Sequence, residues 1–205
     1  MERTDNYLIQ ARQAKNCFLT YDMEKLAKKL HTKLDEHYLY TALLGKPYRI
    51  SRKTGDMERL ESGAWVDGNR FEEVMTLLDL ICDSRADRHV SGNWKSMQAF
   101  GNQFHRSLLE GEKNPWAEKF QEDLPGFRRA CLALGGKPLP VGDAAYAIGV
   151  FEELSVAVQL WLGDEEFPAN LRILWDENAA MYLRYETMHF ARGLLLDTIT
   201  REMEK

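Results

Sequence analysis

No apolar run in this chain approaches the length needed to cross a bilayer; the longest strand-like one, VAVQLWL at 156–162, is far too short. Cysteine is scarce as well. Cys17, Cys82 and Cys131 are widely separated, odd in number and form no Cys-x-x-Cys pair. That argues against a disulfide framework, a zinc ribbon or an iron–sulfur cluster held by this chain alone. Each neighbours apolar residues, so buried free thiols are expected. The N-terminal stretch MERTDNYLIQ carries acids near its start and no signal-peptide apolar segment, which makes the cytoplasm the expected location, with no membrane partner. Long Lys/Arg blocks are also missing. Residues 1–60 carry 12 Lys and Arg against 8 Asp and Glu, and 61–205 carry 15 against 24, so the basic start is mild and no nucleic-acid partner is expected.

The common catalytic signatures are absent too. Gly135-Gly136-Lys137 resembles the end of a phosphate loop, but Cys131 stands where the upstream glycine is needed and Pro138 replaces the Ser or Thr. No Gly-x-Gly-x-x-Gly, Gly-x-Ser-x-Gly or His-Glu-x-x-His occurs.

What is present suits a packed α+β protein. With 44% apolar and 11% aromatic residues among 205, the chain is expected to form a single domain over 1–205. The breaker-rich LGGKPLPVGD marks a candidate subdomain boundary at 135–142. A short helix is predicted at 5–15 and a second over TYDMEKLAKKLHTKL, capped by Thr20 or Asp22. Strands follow near 38–44, 47–52 and 57–61, with a turn at Lys53–Asp56. Phe71, Val74, Met75, Leu78, Ile81 and Cys82 form the apolar stripe of the clearest helix. Further helices are predicted at Gln98–Glu110, from Pro115 through Phe120, and through Phe127, Ala130, Cys131 and Leu134.

After Pro140 the apolar period changes from helical to two. Tyr146, Ile148 and Val150, then Val156, Val158, Leu160 and Leu162, then Leu171, Ile173 and Trp175 predict an antiparallel meander over 142–176. The chain closes with a long helix, about 183–203, burying Leu183, Phe190, Leu194 and Leu195. An antiparallel sheet with helices packed on one face, a helical N-terminus and a long C-terminal helix is the expected architecture.

Two groups of residues could carry chemistry. Asp164, Glu165 and Glu166 sit in the second turn of the meander, Asp176 ends its last strand, and Asp143 lies in the first Gly-Asp turn. Clustered loop carboxylates can hold a hard cation. Yet no calcium-loop pattern is present, and a turn that blunts a sheet edge accounts for the acids more simply. On the last helix Tyr182, Tyr185, Glu186 and His189 share a face, at separations of three, four and seven. There a carboxylate beside an imidazole can tune acid–base behaviour, although a polar structural seam is the commoner outcome. Trp161 joins them as a ligand-binding candidate because it alternates with Leu160 and Leu162. His31 and His37 have poor ligand spacing, and His105 is expected to be structural.

LLGKPYRI, the long segment from Gly142-Asp143 through Gly163-Asp-Glu-Glu-Phe-Pro168 to Tyr182-Leu183, and the terminal helix resemble domain-of-unknown-function family 3786, from about residue 20 onward. The resemblance implies a prokaryotic, mostly anaerobic setting. Some relatives carry extra cysteines like iron–sulfur ligands or occur near corrinoid-dependent methyl-transfer genes; this sequence lacks those cysteines. It implies no catalytic residues. The expected function is therefore that of a cytosolic binding or accessory protein of anaerobic metabolism, recognising a cofactor (a corrinoid or other tetrapyrrole) or a partner protein. Trp65, Trp94 and Trp116, beside turns, would suit a stacking surface. The alternatives are a carboxylate- or metal-dependent enzyme using the acidic turns, and a protein serving only subunit assembly.

Overall fold

The computed structural model describes residues 2–101 and 114–205. The chain divides into two compact units, one of residues 1–88 with 181–191, the other of 89–180 with 192–205. Its class is α+β, with two antiparallel sheets of four and five strands. Among the described residues no helix is long and apolar enough to cross a membrane.

In the first unit β1 (Tyr38–Leu43), β2 (Lys46–Ser51), β3 (Met57–Glu61) and β4 (Ala64–Asp67) form a meander in that order. The β1–β2 and β3–β4 turns are two-residue loops with both residues left-handed, Leu44-Gly45 at φ 51° and 73° and Ser62-Gly63 at 48° and 82°. Such turns match the twist of the flanking strands, and glycine takes the second position without strain. The register aligns Leu39 with Ile50 and Ile50 with Met57. These three side chains are fully buried on one face. β4 escaped prediction because its four residues show no alternation.

The helices of this unit are α1 (Glu2–Phe18), α2 (Met23–Lys29) and α3 (Phe71–Leu78). Asp22 caps α2, accepting the Lys25 N–H at 3.1 Å. α2 was expected to reach Leu34 but stops at Lys29. His31 takes φ 48°, while the N–H groups of His31 and Thr32 fold back onto the carbonyls of Lys28 and Ala27. That pairing is a Schellman stop, with histidine in the place glycine usually holds. α1 packs along α3. α3 runs on into a π-helical turn, Asp79–Asp83. Glu73, on α3, is 3% exposed; its carboxylate accepts the Tyr48 hydroxyl at 2.8 Å and pairs with the Arg59 guanidinium.

In the second unit the sheet order is β5 (Trp94–Ser96), β9 (Asn170–Asp176), β8 (Leu154–Trp161), β7 (Ala144–Phe151) and β6 (Lys137–Pro138). The β7–β8–β9 meander is the one the period-two pattern predicts. Tyr146 lies opposite Val158, which lies opposite Ile173, and all three are buried. Leu162, expected on that face, is 39% exposed because β8 ends at Trp161. β5 was not foreseen; three residues are too few to show a period. α4 (Pro115–Glu122) packs on β8 and β9, and α5 (Leu124–Ala133) packs on β7. Phe120 stacks on Phe127 at 4.8 Å, and Phe127 meets Tyr146 edge-on at 6.1 Å. The connector at 135–142 lies inside this unit, with Gly135 and Gly142 left-handed at φ 72° and 65°.

The long C-terminal helix, α6 (Tyr185–Met203), belongs to the first unit up to Ala191 and to the second from Arg192. Leu194, Leu195, Leu196 and Ile199 are buried. The helix expected at Gln98–Glu110, with His105, falls largely outside the described residues; Met97–Ala99 is a single 3-10 turn. The three thiols do not share one fate. Cys131 is buried, Cys82 is half-buried and Cys17 is exposed. Cys17 precedes the fully buried Phe18, and adjacent helical residues point in different directions, so an apolar neighbour did not imply burial.

Candidate functional site

The first unit contains a cleft of about 380 Å³ between α1 and the α3–π segment, bordered also by Arg184 and Thr187. Helical spacing builds its walls. Ala14, Cys17 and Phe18 recur along one face of α1, and Met75, Leu78, Asp79, Cys82 and Asp83 recur along one face of the opposing segment. Phe18, Ala14, Met75 and Leu78 supply apolar wall. Asp79 and Asp83 bring acids to it from within an otherwise apolar run.

Asp79 is 7% exposed. Its Oδ2 accepts the Arg184 main-chain N–H at 2.8 Å, and the Arg184 Nε lies 3.3 Å from Oδ1. Even so, Oδ1 is buried and makes no hydrogen bond. Burial pushes this carboxyl above its usual range, against the lowering effects of the Arg184 N–H, the Thr187 hydroxyl and the Arg184 charge. The Arg184 guanidinium also pairs with Asp83. Tyr21 donates its hydroxyl to Asp83 Oδ1 at 3.3 Å, and burial, reinforced by the Asp83 charge, pushes this phenol up to about 12. The Lys29 ammonium donates to the carbonyls of Cys82 and Ser84, both at 3.1 Å, so it satisfies the acceptors at the end of the π turn.

This arrangement favours binding over thiol chemistry. Burial, then the Asp83 charge, pushes the Cys82 thiol up to about 12, so it is not a thiolate at neutral pH and is a poor nucleophile. With two carboxyl groups facing one guanidinium, the cleft suits a cation or a hydrogen-bond donor. A π-helical turn is itself a feature common at functional sites.

The residues singled out from sequence lie elsewhere. Tyr182 is 1% exposed, Tyr185 meets the half-buried His189 edge-on at 5.0 Å, and Glu186 is exposed. None of the four lines the cleft, although Arg184 and Thr187 of the same stretch do. Trp161 belongs to the second unit, where the Arg172 guanidinium lies 5.0 Å from its ring centroid. Of the other tryptophans, Trp65 is half-buried with Arg49 4.5 Å over its ring, and Trp94 and Trp116 are half-buried.

The acidic turns are organised around main-chain donors. Asp143 Oδ2 accepts the Leu162 N–H at 2.8 Å. Asp164 Oδ1 accepts the N–H groups of Glu166 and Phe167 at 2.9 and 2.8 Å, which lowers its carboxyl, while Glu165 and Glu166 are exposed. Asp176, 3% exposed, accepts N–H groups of Ser91, Gly92 and Asn178. Burial opposes its charge, but these donors hold the carboxyl below its usual range. Among the described residues no three of His, Cys, Asp and Glu group so as to hold a metal ion.

A family model for a domain of unknown function, DUF3786, matches residues 22–198. The chain belongs to that family. The DUF3786 match takes in Asp79, Cys82, Asp83 and Arg184, whereas the cleft wall contributed by α1 precedes it. No curated protein and no solved structure matches the chain.

In the sequence the cleft is hidden because Leu78 and Cys82 belong to the apolar stripe of the helix. The signal was Asp79 and Asp83, two acids one helical turn apart inside VMTLLDLICDS. An acid inside an apolar stripe is the anomaly to follow, because its burial must be compensated.

Proposed function

We propose that this DUF3786 protein is a binding protein whose first-unit cleft takes a small molecule with an aliphatic body and a cationic or hydrogen-bond-donating end. The observation that carries the proposal is the pair of carboxyl groups, Asp79 and Asp83, that meets the single Arg184 guanidinium at the cleft, with the buried Asp79 Oδ1 held by an ion pair at 3.3 Å and not by a hydrogen bond. A buried carboxylate oxygen that has only an ion-pair contact gains from a hydrogen-bond donor, and a ligand ammonium or hydroxyl group is a suitable one. Ala14, Phe18, Met75 and Leu78 would bury the aliphatic part.

A volume of about 380 Å³ is at the lower end of small-molecule sites, so a metabolite-sized ligand fits better than a whole corrinoid or other tetrapyrrole. The setting we assign is cytoplasmic and, from the family resemblance, anaerobic, with no nucleic-acid partner. One observation favours a second, enzymatic reading. The raised carboxyl of Asp79, in a cleft beside Arg184, is the kind of group that serves general acid–base catalysis. The acidic turns support it less, since Asp143, Asp164 and Asp176 are engaged by main-chain N–H groups.

Native mass spectrometry of protein purified anaerobically from its own host tests the proposal. The expected result is a small adduct on the wild type that is absent from Asp79→Asn. An adduct retained at full occupancy by Asp79→Asn would place the ligand elsewhere and refute it.

A further inference from the structure

A second cavity, of about 350 Å³, lies within the second unit where β5 gives out along β9. β5 pairs with β9 only from Leu174 to Asp176. Among the described residues no strand covers Asn170–Ile173 on that side, and alternate residues of an edge strand turn their N–H and C=O groups outward. Arg172 and Arg192 both line the cavity, and no Asp or Glu does so among the described residues. In a chain of net charge −5 that is a marked local asymmetry.

Arg192, on α6, is half-buried and has no carboxylate partner among the described residues, and burial pulls its guanidinium below the usual value. A desolvated cation without a counter-charge is costly to keep. Arg172 is exposed, and its guanidinium lies against the Trp161 ring, a cation–π contact that orients it without neutralising it. Among the described residues, the neutral polar groups Ser96, Gln98, Asn114 and Asn170 share the lining with apolar residues. Asn114 uses its Oδ1 to cap α4, accepting the Trp116 N–H at 3.1 Å, so its amide NH₂ is the end left to donate to a ligand.

We infer that this cavity is an oxyanion site, in which Arg192 and Arg172 bind the phosphoryl or carboxylate group of a small metabolite and Trp161 acts as a positioning residue for Arg172. Planar guanidinium groups match either oxyanion through paired N–H donors. This site is separate from the cleft at Asp79 and opposite to it in charge preference, so either can fail without the other.

Isothermal titration calorimetry of the full chain tests it, with inorganic phosphate, methyl phosphate and succinate as probes against sodium chloride at matched ionic strength. Saturable binding of the phosphates identifies a phosphoryl site, and binding of succinate alone identifies a carboxylate site. In either case Arg192→Gln should weaken the bound probe by about tenfold or more, with partial recovery in Arg192→Lys. Arg172→Gln, an exposed change that leaves the fold intact, should weaken it by a smaller factor and decides the matter if Arg192→Gln does not fold. The inference is overturned if no oxyanion binds more tightly than chloride, or if affinity is unchanged in Arg172→Gln and every folded Arg192 variant.

Discussion

Asp79 and Arg184, 105 residues apart, meet twice: the Arg184 main-chain N–H donates to Asp79 Oδ2 at 2.8 Å, and the Arg184 Nε lies 3.3 Å from Oδ1. The contact ties the π-helical end of α3 to the residues entering α6. Its two halves differ in worth. The Arg184 side chain is 66% exposed, and an ion pair with so wet a partner contributes little. The main-chain bond to a buried carboxylate contributes more. Arg184→Gln should therefore cost under about 1 kcal/mol. Asp79→Ala, which leaves the Arg184 N–H without its acceptor, should cost about 1–3 kcal/mol. Chemical denaturation of the two variants separates these contributions.

Thiol reactivity should follow exposure and acidity together. Cys17 is exposed, whereas burial pushes Cys82 and Cys131 each up to about 12. Iodoacetamide at neutral pH should modify Cys17 first and leave the other two intact in the folded protein. Because Cys17 borders the cleft, a bound ligand should slow its modification. Peptide mapping of alkylated protein reads both effects.

The Glu73–Arg59–Tyr48 group tests the core of the first unit. Glu73 and Arg59 have side-chain exposures of 4% and 11%, so breaking the pair strands a buried charge. Arg59→Met should destabilise by about 3–5 kcal/mol, and the double variant Arg59→Met, Glu73→Leu should recover much of the loss. A midpoint unchanged in the single variant would contradict this.

Asp176 should shape the acid limb of stability. Its folded carboxyl titrates below the usual value, so the carboxylate's stabilising contribution is present above the unfolded value of about 3.9 and is lost as pH falls through the lower, folded one. Asp176→Asn should be less stable than wild type at neutral pH, with the gap closing as pH falls through that window. Denaturation midpoints across the acid range measure it.

The legible parts of the fold were those with a sustained period or a turn signature. The β7–β9 meander was visible because nine apolar residues alternate across three strands, and Lys53–Asp56 was visible as a turn. β4 and β5 were too short to show alternation, and the end of α2 depends on a histidine in a conformation that composition does not announce. At the site, patterning pointed to residues 182–189 but not to the side chains that matter there. Tyr182 and Tyr185 looked functional because they are polar and aromatic, yet Tyr182 is buried. Arg184 gains its importance from Asp79, a contact 105 residues away that no local pattern contains.

Calorimetric titration of wild type and Asp79→Asn with pentylamine, pentanol and pentanoate, matched in aliphatic length, tests the binding proposal most directly. Pentylamine should bind tightest, pentanol more weakly and pentanoate least, because two carboxyl groups face one guanidinium in the cleft. Asp79→Asn should abolish the preference for the amine. Pentanoate binding tightest, or an amine affinity unchanged in Asp79→Asn, would contradict the assignment.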